Sequence, residues 1–240
     1  MSTAVGSHPL PSIRESHWIR IAGWLIILSL VPAFVVASTS PKLELALFDR
    51  VRLSPTMLGE MEGEVQRVLV ARVVEIHWLA AKNNLVSYSP RREIQVILSP
   101  SLPEAWGYDE SVMGAVLAPR REQPGGVIVV FPARVAQVVG ARQYKNFSDR
   151  LPRDSRLARA LGRVIAHEII HVVAPEHGHG DDGIMHASQS HASLLEPEPR
   201  VDTVCSAAFQ TRLPEYLARL GLPAPTTFSA YEGPAISTPE

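Results

Sequence analysis

The sequence predicts an α+β domain. Three observations predict it: short stretches that alternate or run apolar in the manner of strands, longer stretches with apolar residues three and four apart, and the confinement of both to residues 38–220. Leu43, Leu45 and Leu47 alternate with Glu44 and Ala46, a first strand. Ser54 and Pro55 mark the start of a helix whose apolar face is Leu58, Met61, Val65, Val68 and Leu69. Val74, Ile76 and Trp78 then alternate with Glu75 and His77, so the period changes from that of a helix to that of a strand. His77 thereby falls on the solvent face. Three more strands are read at Glu93 to Leu98, Gly114 to Ala118 and Gly126 to Phe131. A long helix follows, capped by Asp154 or Ser155, with Leu157, Leu161, Val164 and Ile165 at helical spacing and Pro175 as its stop. A last helix begins near Asp202 and is expected to be interrupted at Pro214. No internal repeat is visible.

The ends differ in kind from this middle. Arg14 and Arg20 precede an uncharged apolar stretch from Ile21 to Ala37, broken by Pro32 shortly before Val35-Val36-Ala37. That order is the pattern of a cleaved signal peptide ending at Ala37, or of an uncleaved N-terminal membrane anchor through residues 21–37. Either places the domain outside the cytoplasm, secreted or periplasmic, or anchored and facing outward. Residues 221–240 carry four prolines and are expected to be a disordered tail. At 240 residues the chain can bury one core and has little room for a second. A formal net charge of −1 and the lack of a basic run exclude nucleic acid as a partner. Cys205 is the only cysteine, which excludes an internal disulfide framework and a cysteine-built metal site. A monomer is expected.

The chemistry is concentrated at His167-Glu168-Ile169-Ile170-His171. Residues four apart share one face of a helix, so both histidines can present a ring nitrogen to one metal ion. Glu168 stands beside the first of them, placed to take a proton from water activated by that metal. Six of the nine histidines in the chain lie between 167 and 191, among them His177, His179, His186 and His191.

The run HEIIHVVAPEHGHGDDGIM resembles the zinc-binding region of metzincin peptidases, whose pattern is HExxHxxGxxH followed by a Met-turn. It is more similar still to a group of small bacterial secreted metzincin-like proteins. In that group a strand ending in Trp, a Val-Phe-x-x-Arg-Val strand and a Gly-Ile/Leu-Met turn recur. Here these are Val74 to Trp78, Val130 to Val135, and Gly183-Ile184-Met185. The likeness runs in order from about residue 42 to residue 220. Two positions depart from the general pattern: Ala174 replaces its Gly, and no Tyr follows Met185.

The resemblance implies a small mixed twisted sheet packed on two long helices, with the zinc-binding helix below the sheet and a C-terminal helix after the Met-turn. It implies a zinc-dependent peptidase acting on peptide or protein substrates, with Zn²⁺ held by three histidines, Glu168 as general base and Met185 under the histidines as a hydrophobic floor. Gly114 to Ala118 would border the cleft and pair with extended substrate. For the third ligand His177 and His179 compete. His177 has the general metzincin spacing; His179 has that of the bacterial group. The backbone favours His179, because Ala174 and Pro175 resist the sharp turn the general pattern makes at its Gly, and a wider loop with Gly178 as a flexible point returns later. Two other readings stay open: an extracytoplasmic zinc-binding module that cleaves nothing, and a gluzincin-type hydrolase whose third ligand is a carboxylate, from Glu196, Glu198, Asp181 or Asp182.

Overall fold

The computed structural model describes residues 41–70, 74–80, 92–103, 106–107, 109, 111–117, 125–140 and 155–222. The expected leader or anchor at 1–37, the alternative cap Asp154, Ala118 and all but the first two residues of the expected tail lie outside the described residues. The chain order is β1 (Lys42–Asp49), α1 (Pro55–Val70), β2 (Glu75–Ala80), β3 (Ile94–Leu98), β4 (Gly114–Leu117), β5 (Val127–Val130), α2 (Pro132–Val138), α3 (Ser155–Val173), α4 (His191–Leu195) and α5 (Thr203–Arg219). Among the described residues no helix is long and apolar enough to cross a membrane.

The strands form one mixed sheet in the order β2-β1-β3-β5-β4. The first four run parallel, and β4 closes one edge antiparallel to β5, pairing Gly114 with Val130 and Leu117 with Val127. Because alternate side chains of a strand point to opposite faces, the sheet offers one continuous apolar face: Leu43 and Leu45 of β1, Ile94, Val96 and Leu98 of β3, Ile128 and Val130 of β5. These residues join one buried cluster with Met57, Met61, Val65, Val68 and Leu69 of α1 and with the apolar residues of α3.

α3 is the central element. Every residue from Ala160 to Ile170 is buried, including Arg163, His167 and Glu168. A helix buried on all sides has neighbours on all sides, and its polar residues must find partners there. Arg163 has no exposed side-chain surface; its Nε donates to Glu64 of α1 at 2.7 Å and its Nη1 to the Ser193 carbonyl at 3.0 Å. Its Nη2 reaches the Glu196 carbonyl. Arg67 binds the other oxygen of Glu64 and donates to the Pro197 carbonyl at 2.9 Å. One buried carboxylate and two arginines thus tie α1 and α3 to the segment 193–197.

Two expectations are corrected. The Val130 to Val135 segment is not a strand throughout: β5 ends at Val130 and α2 begins at Pro132. Proline suits the first turn of a helix, where its missing N–H costs no bond, and it cannot continue a central strand. Nor does Pro214 interrupt the last helix, which runs through it from Thr203 to Arg219. The missing hydrogen bond is offset by packing, since Phe209, Leu213, Tyr216 and Leu217 are all buried on the core. Tyr216 also donates its hydroxyl to the Gly125 carbonyl at 2.6 Å, just before β5.

Removing one partner of the buried ion pair strands the other in a dry interior. Glu64→Ala should therefore lower stability by about 3–5 kcal/mol in a urea unfolding titration, and the double variant Glu64→Leu/Arg163→Met should recover part of that loss.

Candidate metal centre

α3 carries His167 and His171 on one face, one turn apart, and their ring nitrogens come together: Nε2 to Nε2 is 3.0 Å. His167 Nδ1 lies 2.6 Å from the Ile184 carbonyl oxygen. A carbonyl only accepts, so Nδ1 carries the ring proton and Nε2 is left as a bare lone pair facing His171. The His177 backbone favours protonation of the His171 ring, opposing the effect of burial. Two imidazole nitrogens converging at this distance, one of them bare, are repulsive unless a proton or a cation stands between them.

Burial disfavours a charged imidazolium at this place. It pushes the His167 pKa down to about 3, and neighbouring His171 adds to the effect against an opposing contribution from the Ile184 carbonyl. Burial and the adjacent His179 lower His171 as well. The third ring is His179, with centroids 5.3 Å from His167 and 4.9 Å from His171. One nitrogen from each of the three lies within 4.8 Å of the others, the only such group of potential metal ligands among the described residues. These three histidines are able to bind a metal ion. Three imidazoles, one with its tautomer held by a carbonyl behind it, are a donor set that suits a borderline-soft divalent ion such as zinc.

His177, the competitor, is held elsewhere. Its Nε2 is 3.2 Å from Cys205 Sγ at the start of α5. Three residues on, the Gly180 N–H donates to the Met185 carbonyl at 2.9 Å. The loop is therefore pinned on either side of His179, which turns back to the other rings. Ala174 keeps ordinary backbone geometry: Arg52 is the one described non-glycine residue with positive φ, and Gly178 has none either. The wider loop avoids the left-handed turn altogether. Gly183 does need that conformation, at φ 65°, and a Cβ there would lie 2.3 Å from the Arg200 carbonyl oxygen.

None of the other histidine or carboxylate candidates joins the group of three rings. Met185 is fully buried in the core. His186 bonds back to Ser188, and His191 opens α4 on the surface. Asp181, Asp182 and Glu198 are exposed, and Glu196 pairs with Arg200 at 3.3 Å. His77 is exposed on β2.

Glu168 lies beside the rings in a cavity of about 320 Å³, whose walls include Met113, Gly114, Val138, Val164, His167 and His179. Burial pushes its pKa up to about 8. β4 comes close here: a Cβ on Gly114 would sit 2.8 Å from Glu168 Oε1 and 2.9 Å from Val164 Cγ1. The strand backbone can border the carboxylate only because residue 114 has no side chain. Neither this requirement nor the Ile184 carbonyl has a signal in the sequence, since each depends on a contact between distant segments.

No protein-family profile matches the sequence, and no curated protein is similar to it. Solved structures of similar shape include an archaemetzincin from Methanopyrus kandleri, 18% identical, covering 77% of this chain and 99% of its own with a TM-score of 0.46. Another is a zinc-dependent peptidase from Methanocorpusculum labreanum, 16% identical, covering 69% of this chain and 99% of its own with a TM-score of 0.45.

The shifts of Glu168 and His167 set opposite limits on the stability of the metal-free protein. Glu168 is raised from 4.5 to about 8 on folding, so its contribution is full below 4.5 and lost as pH rises to about 8. His167 is lowered from 6.5 to about 3, so its contribution is full above 6.5 and lost as pH falls to about 3. With a chelator present, the thermal midpoint should be flat between these ordinary values and fall on both sides.

Proposed function

We propose that this chain is a metzincin-like zinc peptidase, exported from the cytoplasm, that hydrolyses peptide bonds with Glu168 as general base. The observation that carries this reading is the convergence of His167, His171 and His179, the first and last of which line one cavity with Glu168. The ligand set would be the three imidazole nitrogens, which would leave the ion its full double charge. Bound there, zinc supplies Lewis acidity, polarising a carbonyl and acidifying water.

The protein's own groups do the rest. Glu168 accepts the proton of the attacking water and returns it to the leaving amine. Its burial would hold it protonated near neutrality; a doubly charged ion alongside favours the carboxylate and makes it available as a base. His167 stays in one tautomer throughout, because its Nδ1 proton is committed to Ile184. β4 is an edge strand, so its outer backbone groups can pair with an extended peptide laid along the cavity, with Gly114 nearest the carboxylate. The basic flank, apolar stretch and break at Pro32 support export, with Ser38 as the first residue after cleavage.

Glu168→Gln should bind zinc as the wild type does and lose about 10²–10⁴-fold in hydrolysis of an unstructured protein substrate. His179→Ala should lose the metal, and His177→Ala should keep it. Undiminished cleavage by Glu168→Gln would sink the general-base assignment. A wild-type protein that takes up zinc and cleaves nothing would turn the reading to a binding module.

N-terminal sequencing of the exported protein should begin at Ser38. A chain that retains Met1 or Ser2 in the membrane fraction would replace the cleaved leader by an anchor.

A further inference from the structure

Gln189 follows the Met185 turn by four residues, lines the cavity and has no part in the chemistry above. Its Nε2 donates to the Ile184 carbonyl at 2.7 Å, the same oxygen that receives the His167 Nδ1 proton at 2.6 Å. It also lies 3.0 Å from Nδ1 itself. The orientation of the amide follows from chemistry. With the amide reversed, two carbonyl oxygens would face each other at hydrogen-bond distance with no proton between them. With Nε2 inward, both lone pairs of the Ile184 oxygen are used.

That orientation has a cost at the other end of the side chain. Gln189 Oε1 is buried and has no hydrogen-bond partner among the described residues. A buried unpaired acceptor is destabilising, so an apolar side chain of similar size would suit the fold better at this position. A glutamine is what serves the carbonyl behind His167.

We propose that Gln189 is a positioning residue for His167, holding the Ile184 carbonyl in line with Nδ1 so that the Nε2 lone pair stays aimed at the other two rings. The inference rests on the zinc reading of the site. Groups behind a metal-ligating histidine characteristically alter affinity about 10- to 100-fold when removed. Stability and affinity should move in different directions here, which separates positioning from simple packing.

The test is Zn²⁺ affinity, by competition with a chromophoric chelator, for the full-length protein and for Gln189→Met and Gln189→Leu. The thermal midpoint of each metal-free protein is measured alongside. The expected result is Zn²⁺ binding about 10- to 100-fold weaker in the variants, with metal-free midpoints equal to or above that of the wild type. Unchanged affinity in either variant overturns the proposal. So does weaker binding accompanied by a lower metal-free midpoint in both, which would make Gln189 a packing residue. Wild-type protein that takes up no Zn²⁺ overturns the zinc reading itself and this inference with it.

Discussion

The hydrogen bond from His167 Nδ1 to the Ile184 carbonyl joins the two parts of the chain on which the site depends. One is α3, whose interior turns are buried on every side and cannot rotate without disturbing the core. The other is the turn at Gly183-Ile184-Met185, an irregular segment held by the Ile184 N–H to the Arg200 carbonyl and by the Gly180 N–H to the Met185 carbonyl. The helix supplies ring direction and the turn supplies tautomer. Without the turn, His167 would keep its place on α3 but not a defined donor nitrogen.

Elements whose geometry is local were legible in the sequence. The alternation in Leu43 to Leu47 and the apolar run of Glu93 to Leu98 mark β1 and β3, since a strand with one face on a core repeats every second residue. The spacing of His167 and His171 follows from helical periodicity alone. Where sequence and structure differ, local signals compete. Residues 127–139 are almost continuously apolar and suit either period; Pro132 decides for a helix. At Pro214 the local signal favours a break, but the buried face of α5 outweighs it.

Which histidine comes beside His167 and His171 was not a local question. His177 and His179 sit on one short loop, and the outcome turns on Cys205, almost thirty residues onward, and on the Met185 carbonyl. The same holds for the pair Glu64 and Arg163, charged residues on separate helices that no spacing rule would join. Their role is architectural: the guanidinium gathers the carbonyls of 193 and 196, so the segment between the Met185 turn and α5 is anchored to the same helix that carries the rings.

The contact between His177 and Cys205 has a practical consequence. Cys205 is the only thiol in the chain, fully buried, and its pKa is raised by burial and by the Asp202 carboxylate. Both effects make it inert to alkylating reagents while α5 and the loop remain packed. Its modification rate therefore reports how often that loop lifts away from the helix, at one defined place in the fold and without an engineered label. The protein carries its own chemical clock for the motion of the segment that bears His179.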